Sequence, residues 1–377
     1  MLARGGRMAD LVSTARRAES IACAAEPFHP LLGPTSARDL LAWVAAELGD
    51  TSALDRWFTH GGARTKALAP DVILHVVSGN TPHAALQSLI GGLLLGSRNL
   101  VKLPGSGLGE VDAFLSRLPA ELRAMVEVSV ELPDGWLSSA NAVVVYGSDQ
   151  TVAALRARVV PGKTFLGHGH KSSLGVIWHD PLFESCPGAA RDASLFDQQG
   201  CLSPQVFYVR EEYPGSARQY AEKLASAMDQ FSGTHPRGPL AIEEKAAIAN
   251  LRAAYRFRAA GDLRVALWEG GAHLDWTVIY EEDAWFTASP LNRVVFVKPL
   301  PQDLARAMGP AVDYVGAVGL WPCTEELADR FAALGPSRFC PVGNMQDPPW
   351  TWHNGGVPRL ASLVKWVDFE PSSSLTV

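Results

Sequence analysis

Short, continuously apolar runs alternate with stretches of helical periodicity along most of this chain. Val72-Ile73-Leu74-His75-Val76-Val77 reads as a buried strand, ended by Ser78-Gly79-Asn80-Thr81-Pro82. A helix follows through Leu95, and Asn99-Leu100-Val101-Lys102-Leu103 is the next short strand. Glu110 to Leu118 fits a helix, Asn141 to Tyr146 a third strand, and Gln150 to Arg158 the helix after it. Phe165-Leu166 and Leu174 to Trp178 flank Gly167-His168-Gly169-His170-Lys171. The alternation resumes with strand Gln205 to Val209, helix Ala217 to Met228, a helix from Ile242 and strand Arg293 to Val297. Continuously apolar strands alternating with helices predict a parallel sheet covered on both faces, an α/β fold. Before Gly61-Gly62 the chain reads as helical, with Leu40, Leu41, Val44 and Leu48 at helical spacing. Gly343 to Gly356, rich in tryptophan, proline and glycine, predicts long ordered loops.

A length of 377 residues calls for two domains with room for a small third element. Hydrophobic residues at 47% and charged ones at 19% supply a normal globular core. A formal charge of −6 leaves no basic stripe, which argues against a nucleic-acid partner while allowing a local basic pocket for a phosphorylated cofactor. The first seven residues lack the apolar core of a signal peptide, and the most apolar run, Ala84 to Gly96, is too short to span a bilayer. Five widely spaced cysteines with no C-x-x-C pair fit reduced thiols in a cytoplasmic protein.

Candidate chemistry centres on Phe196-Asp197-Gln198-Gln199-Gly200-Cys201-Leu202-Ser203-Pro204, which sets one cysteine in a polar turn between a helical run and a strand. Only the thiolate is a strong nucleophile, and turn N–H groups or the amides of Gln198 and Gln199 are candidates to favour it. Taken locally, Cys201 is either a nucleophile or an inert small hydrophobe. Asn80 is either an amide donor to a developing oxyanion or a helix cap before Thr81-Pro82. In Tyr146-Gly147-Ser148 the small residues either admit a phosphate to a helix start or form an ordinary serine cap. Lys102, followed by Leu103-Pro104-Gly105-Ser106-Gly107, is either a ribose or phosphate ligand or a surface lysine. No acidic residue follows within that glycine-rich stretch, so a 2′-phosphate is acceptable there. His168 and His170 form an H-x-H pair with no further ligands around it, so no metal site is expected. Each can serve as a proton donor or as structure at a strand end.

In order along the chain, Val77 to Pro82, Leu100-Val101-Lys102, Val145 to Ser148, Gly167 to Ser172 and Phe196 to Cys201 resemble the aldehyde dehydrogenase superfamily. Phe-Asp-Gln-Gln-Gly-Cys-Leu-Ser-Pro resembles its LuxC-type acyl-CoA reductase branch, over roughly residues 70 to 370. The resemblance implies an aldehyde-dehydrogenase-like fold: a parallel-sheet dinucleotide-binding domain and an α/β catalytic domain meeting over a cleft. The expected divisions are 1–173 for N-terminal helices and the NAD(P)-binding domain and 174–345 for the catalytic domain. Residues 346–377 form a segment returning to the cofactor domain or to an interface. Cys201 would be the nucleophile, with Asn80 and the Cys201 N–H as oxyanion donors and His168 or His170 as proton-donor candidates. Lys102 would contact the adenosine ribose or its 2′-phosphate and Ser148 the pyrophosphate, with Gly147, Ser106 and Gly169 completing the cofactor side. The implied cofactor is NADPH, with NADH possible.

Oxidising members of the superfamily carry a water-activating glutamate where this chain has Gly167. Without it, thiol exchange or hydride reduction are the productive fates of an acyl-enzyme. A second family glutamate, for the nicotinamide ribose, has no counterpart near Phe286 to Pro290. The expected activity is reduction of a fatty acyl-CoA to the aldehyde. Alternatives are reductive release from a carrier-protein thioester and a non-catalytic scaffold for an acyl-ligase or transferase partner. The superfamily also implies a homo-oligomer.

Overall fold

The computed structural model describes residues 12–77, 79, 82–271 and 273–370. The chain forms two compact units: Met1–Gly169 with Pro349–Val377, and His170–Pro348. In the first unit, β1 (Phe58–His60) and β2 (Ala63–Leu68) precede a parallel sheet of β3 (Val72–Val76), β4 (Arg98–Lys102), β5 (Val126–Ser129), β6 (Ala142–Tyr146) and β7 (Thr164–His168). Its spatial order is β5-β4-β3-β6-β7. The chain therefore builds outward from β3 on one side and restarts at β6 on the other. That reversal point, at the carboxyl ends of the strands, is where open α/β sheets hold ligands. Helices Pro82–Leu95, Gly109–Arg117 and Asp149–Arg158 lie in the crossovers between these parallel strands.

Helix Pro82–Leu95 is apolar almost all round because it is covered on both sides. The sheet lies on one side, and helices Thr14–Ala25 and Ala37–Leu48 cover the other. Gly91 lets the indole of Trp43 approach: a Cβ there would lie 3.2 Å from Trp43. Gly92 clears space for a buried polar cluster. The Nδ1 of His75 meets Ser88 Oγ at 2.7 Å, its Nε2 meets Asn99 Oδ1 at 3.0 Å, and Asn99 Nδ2 donates to Ser97 O at 2.6 Å. Because Asn99 Oδ1 can only accept, the network assigns the ring proton to Nε2. Burial pushes His75 down to about 4, so the ring is neutral.

In the second unit β8 (Ser172–Ile177), β9 (Pro204–Val209), β10 (Val265–Glu269), β11 (Thr277–Glu281), β12 (Val294–Pro299), β13 (Val315–Trp321) and β14 (Arg338–Pro341) form one sheet. Its order is β10-β11-β12-β9-β8-β13-β14, and only β10–β11 pair antiparallel. β8 and β9 are buried along their whole length. Helices Cys186–Ser194 and Ser216–Thr234 cover one face, and helix Ile242–Gly261 lies on the other.

The C-terminal segment is part of the first unit's core. Glu47 accepts the indole N–H of Trp43 at 2.6 Å and the backbone N–H groups of Arg359, Leu360 and Ala361 at 3.1, 2.5 and 2.9 Å. One carboxylate thereby ties residues 359–361 to helix Ala37–Leu48. The Arg359 guanidinium lies 4.3 Å above the Trp43 ring. β15 (Lys365–Phe369) then pairs antiparallel with β2 to complete a β1-β2-β15 sheet.

In an exposed helix Gly→Ala gains about 1 kcal/mol. At Gly92 the new Cβ would lie 1.9 Å from Asn99 Oδ1. Gly92→Ala is therefore expected to lose about 1–3 kcal/mol. Urea unfolding measures this, and a stabilised variant would contradict the packing described.

Candidate active site

Cys201 sits in a turn whose approach is strained. Helix Cys186–Ser194 runs into Leu195–Gln198, where Phe196, Asp197 and Gln198 have φ of 54°, 52° and 62°. A left-handed conformation costs a residue with a side chain about 1–2 kcal/mol, so other contacts must impose three in succession. The turn closes through Ser203 N–H to Gly200 O at 3.0 Å. Cys201 O accepts from Ser173 Oγ at 2.7 Å, and that hydroxyl accepts from Ala317 N–H at 3.1 Å. The nucleophile candidate is thus bolted by its carbonyl to β8 and β13. Gly316 keeps the floor open, since a Cβ there would lie 3.1 Å from Lys171 Cβ and 3.6 Å from Cys201 O. Gln346 Nε2 bridges Ser203 Oγ at 3.0 Å and Asp192 O at 3.1 Å.

Cys201 is exposed, as are Cys23 and Cys323, whereas Cys186 and Cys340 are buried. Desolvation by the surrounding protein raises the Cys201 thiol above its ordinary value, opposed by its own backbone N–H and by Lys171. The residue reaches the surface while its sulfur is enclosed by protein. Desolvation likewise raises Cys186 and Cys340, up to about 12. The amides of Gln198 and Gln199 do not serve the thiol, contrary to the expectation from sequence. Gln198, fully buried, donates to Pro204 O and Val294 O, both at 2.9 Å, and accepts from Val294 N–H. Gln199 donates to Asn292 Oδ1 at 2.8 Å. Gln198 thus holds backbone groups and Gln199 a side-chain amide, neither of them the thiol.

The two histidines of H-x-H separate in role. His168 ends β7, pairs in register with Tyr146 and stacks on it at 4.5 Å with 17° between planes. Burial, and then Arg359, push His168 down to about 4. His170 begins the second unit, is exposed, and places Nε2 3.4 Å from Ser172 Oγ. Among the described residues no three His, Cys, Asp or Glu side chains are grouped to hold a metal. Gly167 is closed to any side chain: a Cβ would lie 2.5 Å from Val152 Cγ1 and 3.0 Å from Phe165 Cε1. At Gly169 a Cβ would meet Asp149 Oδ1 at 2.1 Å.

The cofactor-side candidates lie at or beyond the carboxyl ends of β4 and β6, strands that flank β3. Lys102, half-buried, ends β4, and the exposed Ser106 lies in the turn beyond it. Ser148 caps helix Asp149–Arg158, accepting from Thr151 N–H at 3.2 Å, with its Oγ 3.0 Å from Thr151 Oγ1. Gly147 leaves the approach narrow, its absent Cβ 3.4 Å from Thr151. A cation at one strand end and small residues two strands away fit a nucleotide's ribose and phosphates. Asp149 in the helix's first turn places a carboxylate at the same helix start, which opposes an anion there. Asn80 lies outside the described residues. Sequence reading did not find Ser173, Gln346, Asn292 or Arg293, whose partners are far along the chain and carry no motif.

A family model described as acyl-CoA reductase (LuxC) matches residues 26–366. The long-chain acyl-protein thioester reductase of Aliivibrio fischeri is 24% identical over 321 residues, 80% of this chain and 64% of that protein. The chain thus spans under two thirds of that relative's length. Long-chain acyl-protein thioester reductase 2 of Photobacterium leiognathi is 22% identical over 351 residues, covering 88% and 71% of the two chains. A NAD-dependent benzaldehyde dehydrogenase from Corynebacterium glutamicum superposes with a TM-score of 0.62 at 14% identity, over 96% of this chain and 87% of that one. A NAD-dependent aldehyde dehydrogenase from Burkholderia multivorans gives 0.62 at 15%, over 95% and 77%. The fold is aldehyde-dehydrogenase-like.

Adding a side chain at Gly167 should cost about 1–3 kcal/mol. Gly167→Ala is expected to unfold at lower urea, with part of the loss recovered by Val152→Ala in the same chain; an unaffected midpoint would refute the close packing. His168 should titrate by NMR near pH 4. The unfolded ring takes its proton at about 6.5, so stability from the neutral ring is complete above that pH and falls as the pH drops toward 4. A His168 midpoint at or above the free value would show the ring hydrated instead.

Proposed function

The chain belongs to the acyl-CoA reductase (LuxC) family, and from that premise we propose that it reduces an acyl thioester to an aldehyde through an acyl-Cys201 intermediate. The supporting observation is a cysteine at the surface in a strained turn, held by its carbonyl beside Lys171. In this reading the Cys201 thiolate attacks the thioester carbonyl. The Cys201 N–H and the Asn80 amide donate to the oxyanion, and the thiol of the donor leaves with a proton. A bound reduced nicotinamide dinucleotide supplies the hydride for the acyl carbon. Cys201 carries the acyl group until then, and its sulfur departs when the thiohemiacetal collapses to the aldehyde. Lys102 would neutralise the ribose 2′-phosphate, which favours NADPH over NADH, with Gly147, Ser148, Ser106 and Gly169 lining the dinucleotide. The unit Met1–Gly169 with Pro349–Val377 would then bind the cofactor, and His170–Pro348 would carry the nucleophile.

Hydrolysis is disfavoured by position 167, where a general base has neither a carboxylate nor the space for one. His170, exposed at the start of the second unit, is the better proton-donor candidate of the two histidines, because His168 is half-buried in its stack with Tyr146. The donor is a long-chain acyl-CoA or an acyl group on a protein thiol. The kinship with long-chain acyl-protein thioester reductases favours an acyl-protein and hence an acyl-ligase or transferase partner. The same preparation separates this reading from the non-catalytic scaffold, which would carry no acyl group on Cys201.

Incubation with a fatty acyl-CoA, and separately with an acylated carrier protein, should add the acyl mass to the peptide bearing Cys201. NADPH should then discharge it as aldehyde. Cys201→Ala should lose both the adduct and at least about 10³-fold of turnover. Turnover that survives this substitution would exclude the covalent route.

A further inference from the structure

The strained approach to Cys201 faces a second strained segment. Leu291, Asn292 and Arg293 have φ of 63°, 57° and 64°, matching Phe196, Asp197 and Gln198. Left-handed residues with side chains are a few per cent of all such positions, so two runs of three in contact are not accidental turns. The runs are joined one residue at a time. Arg293 donates to Asp197 Oδ1 from Nε at 2.9 Å and from Nη2 at 2.8 Å. The Gln198 side chain exchanges two bonds with the backbone of Val294, each 2.9 Å. Gln199 Nε2 donates to Asn292 Oδ1 at 2.8 Å.

The second run is itself held from behind. Arg293, 3% exposed, also donates to Ser232 Oγ at 3.2 Å and His235 O at 2.9 Å. Glu244 Oε1 accepts from Asn292 Nδ2 at 3.3 Å and lies 3.5 Å from Gln199 Nε2. Leu291 N–H donates to Ser289 Oγ at 2.9 Å. Only Gly200 then separates the braced residues from Cys201, whose carbonyl is fixed by Ser173.

We propose that Leu291–Val294 is a brace that sets the direction of the Cys201 N–H and sulfur, with Asn292 and Arg293 as positioning residues for the nucleophile. This deepens the reading of Cys201 as nucleophile and rests on it. A turn of this shape is disfavoured locally and persists because three consecutive side chains are each captured from the same segment. Releasing one capture lets the turn relax toward right-handed conformations and swings the amide that adjoins the sulfur. The substrate's own contacts are not part of the brace, so kcat should fall while KM changes little.

The test uses the full-length chain with Asn292→Gly, Gln199→Ala and the double variant. Glycine adopts positive φ without strain, so Asn292→Gly removes the side-chain bond while preserving the backbone. Alkylation by iodoacetamide is followed by peptide mass spectrometry against pH, with Cys23 and Cys323 as exposed internal references. Each single variant should slow Cys201 alkylation about tenfold at neutral pH and move its pH midpoint upward, with reference thiols unchanged. The double variant should add little to either single, since both break the shared Gln199–Asn292 bond. Cys201 rates and midpoints within twofold of wild type in Asn292→Gly would overturn the brace, as would a uniform change in all three thiols. Should Gln199→Ala not fold, Asn292→Gly decides alone. Altered alkylation without acyl-thioester turnover by the wild type would leave the brace standing and remove the reductase reading; turnover with unaltered alkylation would do the reverse.

Discussion

Burial of parallel strands on both faces is the constraint from which the other features follow. A strand covered on both sides presents chemistry only at its ends, because polar side chains along its length would lack solvent. In the first unit Lys102, the Gly147–Ser148 turn and His168 accordingly gather at the carboxyl ends of β4, β6 and β7. In the second unit the nucleophile candidate gathers at the opposite ends. Ser173 lies near the start of β8, Cys201 precedes β9, Arg293 precedes β12 and Gly316 opens β13. Four strand starts thus supply one turn with its anchors.

At two places where polarity enters the buried layers, it is engaged by several partners at once. His75, Ser88 and Asn99 form a closed set beneath Gly92, and Glu47 gathers one indole and three backbone amides. Such groups stabilise only as complete networks. Glycine has the same meaning in the second unit: Gly175 admits the Phe207 ring, Gly319 the Met345 side chain and Gly316 the Cys201 carbonyl. These are close approaches rather than turns, and each removes a side chain from an otherwise apolar strand.

That explains which elements were legible in the sequence. β6, and the apolar stretches within β3, β4, β8 and β9, could be placed from pattern alone. β13 was hidden by Gly316 and Gly319, which dilute its signal for the packing reason just given. β15 was hidden because it is exposed along its whole length and so has no hydrophobic period. The approximate site was legible through Cys201 and Lys102, whose neighbours are turn formers at strand boundaries. The work of Gln198 and Gln199 was not. An amide in a polar turn can serve a thiol or a backbone equally well, and its partners lie 93 to 96 residues away at Asn292 and Val294. Arg293 was read as the first residue of a strand, yet its left-handed backbone and buried guanidinium belong to the turn's support.

The direction of the Cys201 thiol bears on which chemistry the turn can favour. Desolvation raises it, while the adjacent amide and Lys171 act in the opposite sense. A nucleophile whose thiolate is scarce at rest gains most from groups that stabilise charge only when it forms, which is what a fixed backbone N–H supplies. Rigidity of the turn then matters more than permanent ionisation, and a strained, multiply held backbone is the means of providing it. At Gly167, in the first unit, Val152 occupies the space of a side chain, so no carboxylate can stand at that position without displacing it.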